Sequence, residues 1–326
     1  MLESWSALQS RAQQLSCKGV RGRYAPSPTG SLHLGNLRTA LLAWLQVRLA
    51  DGVLILRMED LDLPRVKSGS AECLLQDLRW LGLDWDEGPL IGGPVGPYEQ
   101  SSRDYLYHKA FEQLKLQGLV YPCFCSRKEI ASISSAPHGQ MPIYPGTCRV
   151  HHPILDEPAP RQGRHATWRF RVDDSKVHYR DLLMGPIKQD LALEAGDFAI
   201  RRSDQLFAYQ LAVVVDDGMM GVTDVLRGAD LVDSTPRQIR LFEVLGFPVP
   251  RFWHVPLLCG ASGQRLAKRY GSESILYYRQ QGRDAAWVIG HLASTLGWVP
   301  EGTCISAQEL LRELSLTQFV DQLQRH

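Results

Sequence analysis

The chain has 326 residues, 44% hydrophobic and 22% charged, which supports a globular core of roughly two domains. A formal net charge of +1 excludes nucleic-acid binding through bulk positive charge, so any such contact needs a local basic patch. Seven cysteines, an odd number that includes the closely spaced Cys123 and Cys125, argue for a reducing compartment and a metal site and against a disulfide framework.

Residues 1–18 lack the basic start and apolar core of a secretory signal and read as a helical extension with no evident role. No run approaches 18 apolar residues, so no membrane-spanning helix is expected and the reading is cytoplasmic. The run GVRGRYAPS reads as a strand. It precedes a helix over 35–50, a strand VLILRMED and a helix over 67–81 with Pro64 near its start. This alternation predicts an α/β fold with a parallel sheet covered by helices. A Gly/Pro loop leads to a helical stretch over 101–117. Residues 118–195 gain Cys, Pro, His and Gly and lose helical periodicity, which predicts an insertion with short strands such as HATWRFRV and KVHYRDLLMG. The α/β pattern returns from 196. From about 275 the chain reads as helical to its end. The Val run before Asp216 and Asp217 reads as a strand, whose end would make both acids supporting site candidates. Trp80, Trp85, Trp287 and Trp298 read as core.

Residues 23–36, RYAPSPTGSLHLGN, carry the strongest local signal. Pro26 and Pro28 have no N–H donor and stiffen the approach to the following helix. Gly30 permits a tight turn and close approach of a ligand. His33 and Asn36 stand three apart at the helix start, on one face, beside Gly35. The helix N-terminus offers N–H groups and a positive dipole end to phosphate, a nucleotide cradle with no Walker lysine.

This wording resembles the HIGH signature of class I aminoacyl-tRNA synthetases in its HxGN form, and the PSPTGxLHxGN string resembles the glutamyl and glutaminyl branch. The resemblance covers nearly all of residues 20–275 and implies a Rossmann-like, doubly wound catalytic domain. Five segments are expected: an extension (1–18), the first catalytic half (19–117), a zinc-bearing insertion like an acceptor-binding domain (118–195), the second catalytic half (196–274) and a short helical region (275–326). RLAKR at 265–269 resembles the second class I signature, the KMSKS loop. Lys268 keeps its important lysine, while Arg265, Ala267, Arg269 and Tyr270 depart from the usual wording. Lys268 would stabilise departing pyrophosphate.

Three cysteines, Cys123, Cys125 and Cys148, need a fourth donor to complete a tetrahedral zinc site, and spacing alone favours a histidine among His138, His151 and His152 over Tyr144. The CxC…Yx3C pattern resembles the glutamyl-queuosine branch of the family, which implies Tyr144 instead. Glu59, after an apolar strand, can hold an ammonium group, and Arg23 a carboxylate. The resemblance places Arg23, Tyr24, Ala25, Pro26, Ser27, Glu59, Tyr209 and Arg227 on glutamate-binding positions. His33, Gly35, Asn36 and Lys268 fall on ATP positions, with His33, Asn36 and Lys268 as catalytic residues.

The implied reaction is activation of L-glutamate with ATP, without tRNA, followed by transfer to an RNA acceptor. Mg²⁺ would accompany ATP, bound mainly through its phosphates and water. Only about 50 residues follow the Lys268 loop, with no anticodon-binding domain among them. This again resembles the glutamyl-queuosine branch and implies transfer to the queuosine base at the wobble position of tRNA(Asp), by a monomer. The alternative is a minimal glutamyl-tRNA synthetase charging tRNA(Glu). A non-catalytic tRNA-binding module and a nucleotidylyltransferase of another pathway are further readings.

Overall fold

The computed structural model describes residues 3–126, 128–130, 143–149, 156–174, 176–258 and 274–325. In chain order its elements are α1 (Trp5–Ser16), β1 (Arg21–Tyr24), α2 (Leu34–Arg48), β2 (Val53–Leu56), α3 (Ser70–Trp80), α4 (Asp104–Leu116), β3 (Val120–Cys123) and β4 (Thr167–Phe170). They continue with β5 (Lys176–Asp181), β6 (Gly185–Asp190), α5 (Leu191–Glu194), β7 (Phe198–Arg201), α6 (Tyr209–Met219), β8 (Asp224–Gly228), α7 (Thr235–Leu245) and β9 (Arg251–Val255). Four short helices follow: α8 (Ile275–Gln280), α9 (Ala285–Ser294), α10 (Ala307–Glu313) and α11 (Leu316–Leu323).

Among the described residues the main sheet has six strands in the order β2-β1-β8-β9-β5-β6. Its neighbours run parallel except the β5–β6 hairpin at one edge, so the sheet is mixed and not wholly parallel. β5 and β6 lie within 118–195 yet extend this sheet. The rest of that stretch contributes β3 and β4, which pair antiparallel with each other, and β4 also pairs antiparallel with β7 to complete a second, three-stranded sheet.

Alternation along the strands decides the layers. Ile55, Val225 and Phe252 face one hydrophobic cluster with α1, α4, α6 and α7. Their neighbours Leu54, Leu56, Leu226 and Trp253 face another with α2, α3 and α9–α11. Period-two side chains thus send each strand's apolar residues to both faces, the mark of a sheet covered on both sides. The four tryptophans read as core all pack in the second cluster, Trp85 buried within it and Trp80, Trp287 and Trp298 against it. Gly22 allows α2 to lie close on β1, since a Cβ there would meet Val47 Cγ2 at 2.3 Å.

Four expectations are corrected. The Val run is not a strand: Tyr209–Met219 is helical, so Asp216 and Asp217 sit on α6 and not at a strand end. That helix is buried from Leu211 to Met219, which erases the amphipathic period by which a surface helix is recognised. The strand VLILRMED ends at Leu56. Beyond it Arg57 and Glu59 donate backbone N–H groups to the carbonyls of Tyr24 and Pro26, but Pro26 and Pro28 have no N–H to return, so a full ladder cannot continue. Pro64 opens a 3-10 turn (Leu63–Arg65), and α3 begins later, at Ser70. Residues 1–18 do have a packing role. Leu8, Ala12 and Leu15 of α1 are buried in the first cluster, and Gln9 Nε2 donates to the Leu245 carbonyl at 2.6 Å.

Candidate functional site

The order β2-β1-β8 puts the ends of three parallel strands side by side. Chain connections diverge between β1 and β8, the place where α/β sheets open a ligand crevice. Arg23 and Tyr24 end β1, Glu59 follows β2, Arg227 lies near the end of β8, and α2 starts above them.

His33 is the N-cap of α2 and not a residue of its first turn. Its Nδ1 accepts the Asn36 backbone N–H at 3.4 Å. One of the helix N-terminal donors expected to face phosphate is therefore already engaged. Gly30 adopts φ +147°, a conformation that disfavours any side chain. The Tyr24 hydroxyl donates to the Asn36 carbonyl at 3.3 Å, and burial raises its pKa. Tyr24 thus ties the end of β1 to the start of α2. Ala25 and Ser27 stand half-buried and exposed around the buried Pro26. Lys268, with Arg265, Ala267, Arg269 and Tyr270, lies outside the described residues, as do His138, His151 and His152. The flanks of residues 259–273 are described. Ser274 forms a backbone bridge with His33, and the Pro256 carbonyl accepts from Arg38 of α2.

Below the cradle lies a buried ionic network. Asp217 Oδ1 accepts from Arg57 Nη1 at 2.6 Å, and its Oδ2 from Arg23 Nε at 3.3 Å. Asp216 accepts from Arg103 Nε at 2.5 Å, from Gln100 at 2.8 Å and from the Tyr107 hydroxyl at 2.9 Å. Arg57 Nη2 reaches Glu59 Oε1 at 3.2 Å. Three arginines face three carboxylates here, so the network is balanced and held by hydrogen bonds, as buried charges require. Burial works to raise the Asp217 pKa, but Arg57 and Arg23 together hold it below the ordinary carboxylate range. For Glu59 burial wins and lifts the carboxyl above that range, against the pull of Arg57 and Arg23.

Arg227 departs from this balance. It is 4% exposed and forms no ion pair among the described residues. Its partners are neutral: His254 Nε2 at 3.1 Å, Gln238 Oε1 at 2.7 Å, Thr235 Oγ1 at 2.7 Å and the Leu231 carbonyl at 3.4 Å. Burial lowers its pKa, which signals a cation short of counter-charge. Arg23 also keeps Nη2 without a hydrogen bond among the described residues, since Nε serves Asp217 and Nη1 the Leu226 carbonyl. Tyr209 opens α6 and is 37% exposed, at the crevice rim. The site therefore presents surplus positive charge beside the half-buried carboxylate of Glu59.

The second cluster is separate. Cys123 ends β3, and the Sγ atoms of Cys123, Cys125 and Cys148 lie within 4.8 Å of one another. Cys125 Sγ and Cys148 Sγ are 3.5 Å apart. A tetrahedral zinc site with Zn–S near 2.3 Å separates its sulfurs by about 3.8 Å, so this donor set fits. The Tyr144 oxygen points into the group, 3.3 Å from Cys123 Sγ and 3.7 Å from Cys125 Sγ, and it accepts the Cys148 backbone N–H at 2.8 Å. The Arg169 guanidinium lies 3.9 Å over the Tyr144 ring. Burial pushes the Cys125 thiol up to about 11, whereas hydrogen bonds outweigh burial at Cys148 and bring it down. That contrast would vanish once a cation held both as thiolates.

Motif reading missed Arg57, Arg103, Asp181 and His254. The alternation of charge in LRMED was a usable signal for Arg57. For the other three no local signal exists, because their side-chain partners, Asp216 for Arg103 and each other for Asp181 and His254, lie far away in the chain.

The family model for class I tRNA synthetases (E and Q), catalytic domain, matches residues 19–325. Glutamyl-Q tRNA(Asp) synthetase of Symbiobacterium thermophilum is 49% identical over 301 residues, covering 91% of this chain and 93% of that protein. The protein of the same name from Nitratidesulfovibrio vulgaris is 50% identical over 286 residues, covering 86% and 88%. Among solved structures, glutamate-tRNA synthetase of Elizabethkingia anophelis superposes with a TM-score of 0.77 at 29% identity. That match covers 92% of this chain but 66% of the other, so the chain spans just under two thirds of that longer protein. The chain belongs to the class I tRNA synthetases of the glutamate and glutamine (E and Q) type, a family of ligase-type enzymes.

Proposed function

We propose that the protein activates L-glutamate with ATP, without tRNA, and transfers it to the queuosine base of tRNA(Asp). The observation that carries the glutamate half is Arg227, a buried guanidinium with only neutral partners. A substrate carboxylate supplies its missing counter-charge. Arg23, through its remaining Nη2, receives the other carboxylate, and Glu59 receives the ammonium group. Tyr209, with Tyr24, Ala25, Pro26 and Ser27, forms the walls around them.

In the first step a glutamate carboxylate oxygen bonds to the α-phosphorus of ATP, and the bond from that phosphorus to the pyrophosphate oxygen breaks. No enzyme nucleophile is needed. The protein's task is alignment and stabilisation of phosphoryl charge. His33, Gly35 and Asn36 serve at the start of α2, and Lys268, outside the described residues, would stabilise the departing pyrophosphate. A Mg²⁺ accompanying ATP would be held mainly through the phosphates and water and would neutralise phosphate charge.

Cys123, Cys125, Tyr144 and Cys148 would hold one structural zinc ion, which ties the loops that follow β3 to the second sheet. Beside them opens a cleft of about 420 Å³ lined in part by Arg164, His165 and Arg169, a basic surface suited to RNA phosphate. The acceptor rests on the relatives' names and on this surface. The protein would act as a monomer in the cytoplasm.

The test is transfer of labelled glutamate, with ATP, to tRNA(Asp) with and without queuosine and to tRNA(Glu). Label on queuosine-containing tRNA(Asp) alone is expected. Label on tRNA(Glu) would overturn the acceptor, and a lack of glutamate-dependent pyrophosphate exchange would overturn the substrate.

A further inference from the structure

We infer that Asp181 and His254 are positioning residues that hold Arg227 in place while leaving its charge available to the substrate; this rests on the reading of Arg227 as a carboxylate binder. The three residues come from three adjacent strands. β8 and β9 run in register with Arg227 opposite His254, and β5 meets β9 with Asp181 opposite Phe252. All three are buried.

The proton positions follow from the neighbours. Arginine only donates, so the His254 Nε2 that lies 3.1 Å from Arg227 Nε offers a lone pair, toward which the Thr235 hydroxyl, also at 3.1 Å, can donate as well. On the other side Asp181 Oδ2 lies 2.6 Å from His254 Nδ1, and an ionised carboxylate only accepts, so Nδ1 carries the proton. His254 is therefore neutral and in a single tautomer. Asp181 is itself fastened, its Oδ1 accepting the backbone N–H groups of Leu183 at 3.0 Å and Met184 at 2.9 Å. The titration tendencies agree. Burial lowers the His254 pKa, helped by Arg227 and Arg23 and opposed by Asp181, while His254 and those N–H groups hold Asp181 low against burial.

The chemical consequence lies in what separates Asp181 from Arg227. Had the carboxylate touched the guanidinium, the pair would be neutral and a substrate anion would gain little. An imidazole in between passes on orientation through two hydrogen bonds but no net charge. Thr235 and Gln238 complete the neutral cradle, and the Gln238 amide is oriented by donating to Gln210 Oε1 at 2.9 Å. Of the five N–H donors on Arg227, four have partners here. One Nη1 hydrogen remains for the ligand.

The experiment compares the full-length wild type with His254→Phe, His254→Gln and Asp181→Asn in glutamate-dependent ATP–pyrophosphate exchange, with folding followed by near-UV circular dichroism. His254→Phe keeps a flat ring but removes the acceptor; it should raise KM for glutamate about 10-fold or more and leave KM for ATP unchanged. His254→Gln supplies an amide oxygen to Arg227 Nε and should recover most of that loss, and Asp181→Asn should fall between. Rescue by glutamine is an outcome that a merely structural role would not produce. An unchanged glutamate KM in folded His254→Phe, a parallel rise in both KM values, or no rescue by glutamine would overturn the inference. If His254→Phe does not fold, nitrogen NMR of wild type labelled at histidine decides. A His254 with Nδ1 protonated and Nε2 bare is expected at neutral pH, and a protonated Nε2 would overturn the assignment. A wild type inert toward glutamate sinks the substrate reading, and the relay's role with it. An active wild type with an insensitive His254 sinks the relay alone.

Discussion

Arg57 Nη1 lies 2.6 Å from Asp217 Oδ1, although 160 positions separate the two residues in the chain. The same carboxylate takes Arg23 Nε at 3.3 Å, so one residue of α6 fastens the ends of β1 and β2 beneath the site. Burial makes this arrangement costly to disrupt, because removing one charge strands the others in a low-dielectric surrounding.

Asp217→Asn should therefore destabilise the fold by about 3 kcal/mol at neutral pH. The Asp217 pKa is depressed in the folded state. Its contribution is present above the unfolded value of about 4 and is lost as pH falls through the folded value. Urea unfolding of both proteins at pH 7 and near pH 3 checks this, with the gap expected to narrow in acid. An equal gap at both would show that charge is not its origin.

Arg227→Gln should raise KM for glutamate about 100-fold, the loss of a charge-assisted pair of about 3 kcal/mol, with KM for ATP little changed. Pyrophosphate exchange at varied glutamate measures it. A variant that binds glutamate normally would remove the observation on which the substrate reading stands.

Glu59 has a raised pKa, so on acidification it loses its charge at higher pH than an ordinary carboxylate at about 4.3. If it holds the substrate ammonium, KM for glutamate should climb on the acid side from above that value. Glu59→Gln should raise KM and flatten that limb of the pH profile. A retained acid limb in the variant would assign the titration to another group.

Zinc content should be one per chain in native protein and near zero in Cys125→Ser. The variant should melt at lower temperature yet keep its KM for glutamate, because the cysteine cluster is separate from the Arg227 crevice. Metal analysis with thermal melting tests this, and a metal-free wild type that melts like the metal-loaded protein would count against a structural ion.

The α1 extension should matter for stability and not for substrate binding. Leu8 is 3% exposed in the cluster that also holds residues of α6. Leu8→Ala should cost about 2–4 kcal/mol in urea unfolding, with KM for glutamate unaltered.

Contiguous residues made the turn before α2 and the start of that helix legible. Pro26, Pro28, Gly30, His33 and Asn36 act through local geometry, so their order in the chain already specifies a stiff turn and a helix start, and the close pair Cys123 and Cys125 pointed to the cysteine cluster that Cys148 joins in the fold. The Val run before Asp216 misled, because a helix buried on all sides carries no period to read. Nothing local distinguishes Arg227 from a surface arginine, or His254 from a core histidine. Their meaning comes from Asp181, 73 positions before His254, and from the lack of an ion pair to Arg227 among the described residues. Local sequence determined the stiff turn and the capped start of α2 and the close spacing of Cys123 and Cys125, because short-range sterics suffice for both. The balance of buried charge was decided only when β5, β9, β8 and α6 packed together, since desolvation and pairing depend on neighbours that the chain alone does not place.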